Sequence, residues 1–457
     1  MIPEDAIKAE AAKFQKLVKD NEGVDVEIKF TYKGSYNDMV GLVTKGFATS
    51  DNPTICVAYP DHVADYFSAE TATKKFVVNL EPLANDSKIG FGQESYLGDE
   101  EDISDFVQAF IEEGCQYGRE GMYSLPYMKS SEVMFYNLTA LRTFMPMYDP
   151  DITSDYQINN FMKNLDWDTF MDLCEVIKDN KSAWPQLSKE GAVPAVYDSD
   201  GNLIISKILQ NNILFSSVTS EGKGVLEFNG VATDGFTPSA SQTENYNKVI
   251  ALLEDLLEKF DNGLFTTGDV LGTYGSDKFT KQECIFSVGS SGGAGYNFPA
   301  GDGFDLGICK VPESNNNPLY VSQGPTLCLL NNYKVSSEKN DLMVKYAWKF
   351  LKYITNAEVN TNLTVNGSEG YIPVRESAYE TPAFLRFLED GEDYAKTAKC
   401  VIDEIDGQYF STPVFPGSAA LRKYIGTALT DTLNHAKSKL TPKEALDAAI
   451  SEIILAM

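Results

Sequence analysis

The sequence predicts an α/β protein built from two lobes. Helical and strand patterns alternate at the start of the chain, with an amphipathic helix over 4–20, alternating apolar and polar residues over 24–32, a helix over 39–47 and a buried strand over 54–58. Such alternation is typical of parallel strands joined by crossover helices. The 457 residues exceed one ordinary core, so we expect two lobes of roughly 200 residues each.

The elements that follow continue this mixture of helices and strands. After a helix over 104–113 we expect a strand over 133–137 and helices over 138–143, 168–179, 203–210 and 246–259. Strands are then predicted from Cys284, over 304–311, and over 319–330 with an interruption at Gly324 and Pro325. The last quarter is predicted to be helical, over 341–355, 421–436 and 442–455. Trp167 lies at the start of a predicted helix and is predicted to pack there rather than to contact a ligand. Trp184 and Trp348 are likewise predicted to be packing residues.

Charge and composition exclude several classes of function. The formal charge is −28, from 66 acidic and 38 basic residues, and such a field repels nucleic acid and anionic membranes. No apolar run reaches the roughly 18 residues that a membrane span needs. With two histidines, His62 and His435, the chain has almost no material for a histidine metal site or a Ser-His-Asp triad. We therefore expect no metal, no cofactor and no nucleic-acid partner.

The seven cysteines are scattered and show no Cys-x-x-Cys spacing, so they are predicted to be free, mostly buried thiols. This usage indicates a reducing compartment or an organism that does not use disulfides. The chain shows no signal peptide and no lipidation cysteine, which fits either a cytosolic protein or a chain without its export segment.

A Ser/Gly cluster follows the strand that begins near Cys284. Consecutive small residues let backbone N–H groups turn toward one point, and Ser290, Ser291 and Gly292 leave room for a ligand. An anion or a hydroxyl-rich molecule would fit there. The alternative is a flexible turn, because Gly and Ser favour turns for conformational reasons alone.

The chain resembles extracellular solute-binding proteins of family 1, the substrate-binding components of bacterial ABC importers for carbohydrates and related solutes. Six segments carry the resemblance: the Tyr-Lys-Gly-Ser-Tyr turn at 32–36, the strand and loop at 52–61, the crossings at 124–137 and 284–295, the helix at 347–355, and the Gly-Tyr-Ile-Pro-Val-Arg turn at 370–375. The resemblance spans nearly the whole chain.

The resemblance implies a type II periplasmic-binding-protein-like fold, in which two lobes, each a mainly parallel sheet flanked by helices, close on ligand about a hinge. We place the first lobe at 1–136 and 291–332, and the second at 137–290 and 333–457. Similar proteins begin with a strand before the first helix, whereas here Met1 to Pro3 meet that helix almost directly. The first strand is therefore expected to be missing or trimmed.

The same resemblance implies the cellular setting. The protein would capture a small-molecule solute and deliver it to the membrane permease subunits of an ABC transporter. It would act as a monomer and would not be an enzyme. Its place would be the outer face of the cytoplasmic membrane, lipid-anchored in the precursor, or the periplasm.

Two kinds of solute fit the residues. In the branch that binds glycerol phosphate and glycerophosphodiesters, the ligand-holding positions fall on Tyr36, Ser130, Ser290, Gly324, Tyr371 and Arg422. Hydroxyls, backbone N–H groups and one arginine are chemically suited to phosphate oxygens. However, the chain has Pro60 and Asp61 where that branch carries a glutamate, and a polar stretch at 198–202 where it carries a tryptophan pair.

A sugar is the preferred hypothesis. Sugar sites combine aromatic faces with carboxylates and amides that bind hydroxyl pairs. The residues predicted to supply them are Tyr36, Tyr296, Tyr371, Asp61, Glu132 and Asn202. Ordinary structural roles compete with each assignment: Asp61 suits a helix N-cap, and Arg422 suits the solvated face of an amphipathic helix.

Two other classes of function are less favoured. Glu100, Glu101 and Asp102 could serve as a glycosidase acid and nucleophile, but neighbouring residues on a charged loop do not place two carboxyls across one bond at roughly 5–10 Å. A sensor or adhesin on the same fold is the other alternative, because fold alone does not determine function.

Overall fold

The computed structural model describes residues 4–32, 34, 36–49, 51–93, 95–97, 102–301, 303–367 and 370–457. For residues 36, 37 and 404 it describes the backbone only. The prediction about the segment before the first helix concerns Met1 to Pro3, which lie outside the described residues.

Helices occupy most of the described chain. The α-helices are α1 (Glu4–Glu22), α2 (Tyr36–Thr49), α3 (Pro60–Phe67), α4 (Glu81–Ala84), α5 (Gln108–Glu112), α6 (Leu138–Tyr148), α7 (Asp155–Lys163), α8 (Trp167–Asp179), α9 (Asp200–Gln210), α10 (Ala240–Asp261), α11 (Gly268–Leu271), α12 (Gly275–Phe279), α13 (Ser337–Ile354), α14 (Ala357–Val365), α15 (Pro382–Asp390), α16 (Asp393–Lys399), α17 (Ser418–Leu433), α18 (His435–Ser438) and α19 (Pro442–Ala456). Short 3-10 helices lie at Ile103–Asp105, Glu113–Cys115, Lys181–Ala183, Pro185–Ser188, Ser291–Asn297 and Glu376–Glu380, and a π-helical turn lies at Cys400–Glu404.

The strands form two main sheets. They are β1 (Ile55–Ala58), β2 (Leu125–Pro126), β3 (Glu132–Asn137), β4 (Ala195–Tyr197), β5 (Ser216–Val218), β6 (Gly224–Leu226), β7 (Phe265–Thr267), β8 (Phe286–Ser290), β9 (Leu306–Lys310), β10 (Tyr320–Val321), β11 (Thr326–Leu329) and β12 (Tyr409–Phe410). One main sheet has the order β1-β11-β2 and the other the order β7-β4-β8-β3-β9. Two small pairs, β10-β12 and β5-β6, complete the described strands.

The pairing directions correct the expectation of mainly parallel sheets. In the three-stranded sheet, β11 is antiparallel to both neighbours, and in the five-stranded sheet β3 is antiparallel to β8 and β9. The pairs β4-β7 and β4-β8 are parallel. Each sheet thus contains one strand that runs against the others. This strand is β11 in the three-stranded sheet and β3 in the five-stranded sheet. Each is the first strand that the chain forms in its sheet on arriving from the other sheet, so the carboxyl ends of the remaining strands lie at the edge where the chain crosses between the sheets.

The segment 24–32 is not a strand, contrary to the prediction. Its alternation does decide which side chains are covered, because Val24, Val26 and Ile28 are half-buried against the main core while the residues between them are exposed. Among the described residues, β1 pairs only with β11, and 24–32 pairs with no strand. Alternation without a partner strand gives an extended chain rather than a sheet.

The predicted helix over 104–113 is broken into three short pieces. Between the first two, Val107 donates its backbone N–H to the carbonyl of Val374 at 3.1 Å, and Phe106 forms a bridge with Arg375. Pairing with this distant segment replaces the hydrogen bonds that a continuous helix would need. The tryptophan predictions are more successful: Trp167 is 3% exposed and Trp348 is fully buried, both within the main core, and Trp184 packs half-buried against it.

Strand pairing differs from the predicted lobe division in two segments. β9 was placed with the first lobe, but it pairs with β3 in the five-stranded sheet. α13 was placed with the second lobe, but it packs against α1 and β11 of the three-stranded sheet. In both segments the chain stays with the sheet of the preceding strand, β8 or β11, beyond the predicted boundary. The division itself stays a prediction.

Candidate functional site

The candidate site lies where the carboxyl ends of the strands meet the chain crossings. Tyr59, Pro60 and Asp61 follow β1, and the segment 127–131 carries the chain from β2 to β3. In α/β sheets this edge is where ligands bind. The site therefore draws on both sheets.

A hydrogen-bonded chain of four side chains forms the centre of the site. Glu132, the first residue of β3, accepts one hydrogen bond from the Tyr197 hydroxyl and one from the Asn202 Nδ2 at 2.6 Å. Arg422 Nη2 donates to the Asn202 Oδ1. The Asn202 amide thus links the carboxylate to the guanidinium, and its orientation is determined by both partners.

Helix packing brings Asn202 and Arg422 together. Asn202 lies in the first turn of α9, where the side chain of the N-cap residue Ser199 accepts from its backbone N–H at 3.2 Å. α9 and α17 approach closely because glycines face each other: a Cβ on Gly426 would lie 3.0 Å from the Gly201 Cα, and one on Gly201 would lie 3.3 Å from the Arg422 carbonyl oxygen. Larger residues at either glycine would separate the two helices.

Burial perturbs the acid–base chemistry of this centre. Desolvation raises the pKa of Glu132 to about 7, although the hydrogen bonds from Tyr197 and Asn202 and the charge of Arg422 act in the opposite direction. Desolvation likewise raises the pKa of Asp198 to about 6 and that of Asp200 to about 7. Three carboxyls near the end of β4 and the start of β3 are therefore costly to ionise.

The serines of the two crossings meet beside this centre. Glu132 pairs directly with Ser290 between β3 and β8, and the hydroxyls of Ser130 and Ser290 are 3.5 Å apart. The backbone N–H of Ser291 donates to the Ser131 carbonyl at 2.8 Å, and that of Gly292 donates to the Ser290 hydroxyl oxygen at 3.2 Å. These two N–H groups are therefore engaged within the protein rather than turned toward an anion.

Tyr371 packs on the Ser/Gly cluster. A Cβ on Gly292 would lie 2.8 Å from Cε2 and Cζ of the Tyr371 ring, so any larger residue at position 292 would displace the ring. The preceding residue, Gly370, has φ +98°, and a Cβ there would lie 1.8 Å from the Ser291 carbonyl oxygen. Glycine is required at this turn by both its backbone conformation and its contact. The predicted neighbours Ser291, Gly292 and Tyr371 are thus in contact.

Gly324 packs against the segment 127–131, which carries the chain from β2 to β3. Its φ is +117°, and a Cβ would lie 2.2 Å from the Met128 carbonyl oxygen. The adjacent Gln323 exchanges backbone hydrogen bonds with Ser130, both at 2.9 Å. Beneath the crossing, the buried Lys129 Nζ donates to Glu113 Oε2 at 2.5 Å.

Asp61 borders the site from the other side. Its carboxylate accepts from the His62 backbone N–H at 2.9 Å, a bond between neighbours at the start of α3. Desolvation, together with the nearby Tyr371 and Asp61, raises the pKa of Tyr59, while Arg422 lowers it. Asp61, Tyr371 and Arg422 thus all act electrostatically on Tyr59.

Some predicted residues stay outside this description. Tyr296 is 79% exposed, and a Cβ on Gly293 would lie 3.8 Å from its ring. The side chain of Tyr36 lies outside the described residues, as do Glu100 and Glu101. Asp102 accepts from the Ser104 backbone N–H at 2.9 Å as the N-cap of a 3-10 helix. Its role there is structural.

Three residues beside the candidate site, Tyr59, Tyr197 and Asp198, are not among those selected from the sequence. Tyr59 lies in the loop singled out after β1, so its position is available from the sequence. Tyr197 ends β4 and Asp198 follows it, and this strand of three residues is too short to leave a clear alternation. Among the described residues, no group of three or more His, Cys, Asp or Glu side chains is arranged to hold a metal ion.

Family comparison assigns the chain. The profile described as bacterial extracellular solute-binding protein matches residues 9–388. The chain therefore belongs to the bacterial extracellular solute-binding proteins, a family of binding proteins rather than enzymes. A comparison with curated proteins gives no match. Across the described chain, no helix is both long and apolar enough to span a bilayer.

Solved structures share the fold over nearly the whole chain. The GacH receptor of Streptomyces glaucescens, solved unliganded and with acarbose, has a TM-score of 0.62 at 16% identity and covers 100% of this chain and 95% of its own. UgpB from Mycobacterium tuberculosis, in complex with glycerophosphocholine, has a TM-score of 0.64 at 15% identity and covers 98% of this chain and 94% of its own. The cyclic alpha-maltosyl-1,6-maltose binding protein from Arthrobacter globiformis has a TM-score of 0.62 at 15% identity and covers 98% of this chain and 95% of its own. The two-lobe fold expected from the sequence is confirmed.

Proposed function

We propose that the protein is the substrate-binding component of a bacterial ABC importer and that its solute is a carbohydrate, a mono- or oligosaccharide, held between the lobes by hinge closure. The observation that carries the proposal is the chain Tyr197–Glu132–Asn202–Arg422 at the strand ends. It offers a carboxylate, an amide and a guanidinium within a small space.

This set of groups suits a neutral polyol. Each sugar hydroxyl both donates and accepts, so it is satisfied by an acceptor such as Glu132 beside donors such as Asn202 and Arg422. The half-buried ring of Tyr371, held by its contact with Gly292, adds an aromatic face for the apolar side of a sugar ring. Structural relatives solved with acarbose and named for a cyclic maltosaccharide support this choice.

Glycerol 3-phosphate or a glycerophosphodiester is the second candidate, and Arg422 is the observation that favours it. UgpB, solved with glycerophosphocholine, shows that the fold accommodates such a ligand. Two features count against it here. The Ser291 and Gly292 N–H groups are engaged within the protein. Above the pKa of Glu132, about 7, its ionised carboxylate would also repel an anion.

The crossings support hinge closure. The chain passes between the sheets at 127–131, where Ser130 bonds to Gln323, on the return path from β9 to β11, and Ser131 bonds to Ser291, directly after β8. Closure would bend these segments, with the first lobe at 1–136 and 291–332 and the second at 137–290 and 333–457. We further propose that the protein works as a monomer outside the cytoplasmic membrane, lipid-anchored or periplasmic, and docks on permease subunits.

Thermal-shift measurements with two ligand panels test the proposal. We expect neutral mono- and oligosaccharides to raise the Tm and glycerophosphodiesters to leave it unchanged, since a ligand that binds only the folded state stabilises it. Asn202→Ala, which separates Glu132 from Arg422, should abolish the shift, whereas the exposed Asn164→Ala should retain it.

Three outcomes would contradict the proposal. A shift with phosphodiesters alone would assign the second candidate. Hydrolysis of the sugar during the measurement would indicate a glycoside-acting enzyme. Equal shifts in both asparagine variants would remove the four-residue chain from the site.

A further inference from the structure

Two cysteines face each other across the three-stranded sheet. Cys56 in β1 and Cys328 in β11 are directly opposed in the antiparallel register, although 272 positions separate them along the chain. They are 2% and 0% exposed and belong to the same small core cluster. Their side chains therefore lie on the same face of the sheet.

The backbone geometry of this pair is compatible with a covalent bond between the sulfurs. The Leu330 N–H donates to the Thr54 carbonyl at 2.9 Å, so Thr54 and Leu330 form a hydrogen-bonded pair. Pairs alternate along an antiparallel ladder, which makes Cys56 and Cys328 the next hydrogen-bonded pair, with Cα atoms about 5.5 Å apart. Disulfides most often join Cα atoms about 5.5–6 Å apart. Cys328 Sγ already lies 3.7 Å from the Cys56 carbonyl oxygen.

The two thiols are chemically unequal. Their mutual hydrogen bond lowers the pKa of Cys56 and raises that of Cys328. The Tyr66 hydroxyl, 3.6 Å from Cys56 Sγ, adds to the lowering. Because the attacking thiol must be reached by the small disulfide and Cys56 keeps 2% exposure where Cys328 has 0%, Cys56 is suited to react first and Cys328 to resolve the intermediate.

We propose that Cys56 and Cys328 form a redox site that oxidises to a cross-strand disulfide by exchange with a low-molecular-weight disulfide. The Cys56 thiolate attacks one sulfur of the small disulfide, forms a mixed disulfide and releases one small thiolate. The Cys328 thiolate then attacks the Cys56 sulfur, forms the protein disulfide and releases the second small thiolate. The protein loses two electrons and two protons, and the small disulfide is reduced to two thiols.

The disulfide would act on the candidate site. Tyr59 and Asp61 directly follow β1, and Gly324 directly precedes β11. A bond between these two strands holds together the two loops that the three-stranded sheet contributes to the site. Since β11 is the central strand of that sheet, the bond also restrains local opening of the sheet.

Counting thiols after equilibration tests the proposal. The protein carrying Cys115→Ala, which removes the exposed thiol, is incubated natively and also refolded in mixtures of reduced and oxidised glutathione, then alkylated in denaturant and mapped by peptide mass spectrometry. We expect a loss of two alkylated thiols and a disulfide-linked peptide pair that contains Cys56 and Cys328. Dithiothreitol should restore both thiols.

Two further variants separate this pair from the other cysteines. Cys56→Ala should keep all its remaining thiols. Cys309→Ala should still form the disulfide, because Cys309, equally buried on a strand, lies opposite Met134. Hydrogen exchange over 55–58 and 326–329 should slow in the oxidised protein. Six unoxidised thiols after both treatments, or a disulfide between other cysteines, would overturn the proposal; unchanged exchange would overturn the restraint on the sheet.

Discussion

Replacing Glu132 by glutamine should remove a pH-dependent loss of stability. Burial raises the pKa of Glu132 from 4.5 to about 7. Between these values the unfolded chain has released the proton while the folded chain still holds it, so the unfolded state binds fewer protons and stability falls as the pH rises. The loss is complete above the folded-state pKa. Glutamine, which does not ionise, lacks this contribution at every pH.

The size of the effect follows from the two pKa values. They differ by about 2.5, which corresponds to a free energy of unfolding of about 3 kcal/mol. With an unfolding entropy of about 2.1 cal/mol/K per residue, this shifts the Tm by about 3–7 °C, the lower figure if both lobes unfold together and the higher if one lobe unfolds alone. Relative to the parent protein, Glu132→Gln should therefore gain about 3–7 °C between pH 4 and pH 8.

Differential scanning calorimetry at half-unit pH intervals gives the difference curve. Asp200, whose pKa is also raised, is present in both proteins and cancels in the difference, whereas Asp198, whose charge raises the pKa of Glu132, cancels only in part. Glu190→Gln, which changes an exposed glutamate, should run parallel to the parent protein. A Glu132→Gln curve that also runs parallel over this range would refute the reasoning that Glu132 is buried and costly to ionise.

Two further predictions concern the support of the site. Gly292→Ala should displace the Tyr371 ring and weaken ligand binding at least tenfold. Gly41→Ala, whose added Cβ would meet nothing within 4 Å, should leave binding unchanged. Tyr371→Ala should abolish the ligand-induced thermal shift and leave the Tm of the unliganded protein within a few degrees of the parent value. Titration calorimetry checks both, and wild-type affinity in Gly292→Ala or Tyr371→Ala would exclude the ring from the site. Lys129→Met leaves the buried Glu113 carboxylate without its ion-pair partner and should lower the free energy of unfolding by about 3–5 kcal/mol. Adding Glu113→Leu should recover most of this loss. An equally unstable double variant in urea denaturation would contradict this.

Local patterns predicted much of the fold. The apolar runs at β1, β3 and β9 and the interruption between β10 and β11 appear where the sequence indicates strands. The failures have long-range causes. The alternation over 24–32 lacks a partner strand, and 104–113 is broken by pairing with 374–375. The three-residue strands β4 and β7 owe their existence to neighbours in the five-stranded sheet rather than to their own pattern.

The sequence selects some members of the candidate site but not their arrangement. Glu132, Asn202 and Arg422 were each selected from the sequence, yet 70 and 220 positions separate the hydrogen-bonded partners. Tyr197 was missed because its partner Glu132 is 65 positions away. The role of the Ser/Gly cluster also changed, since two of its N–H groups are used within the crossings instead of pointing to a ligand.

Native mass spectrometry of the protein in an equimolar mixture of neutral oligosaccharides and glycerophosphodiesters tests the proposed function most directly, because the ligands compete for one site. We predict one intact sugar bound per chain in the parent protein and none in Asn202→Ala. A bound phosphodiester, or a bound sugar shortened by hydrolysis, would contradict the proposal that the protein captures a neutral carbohydrate without transforming it.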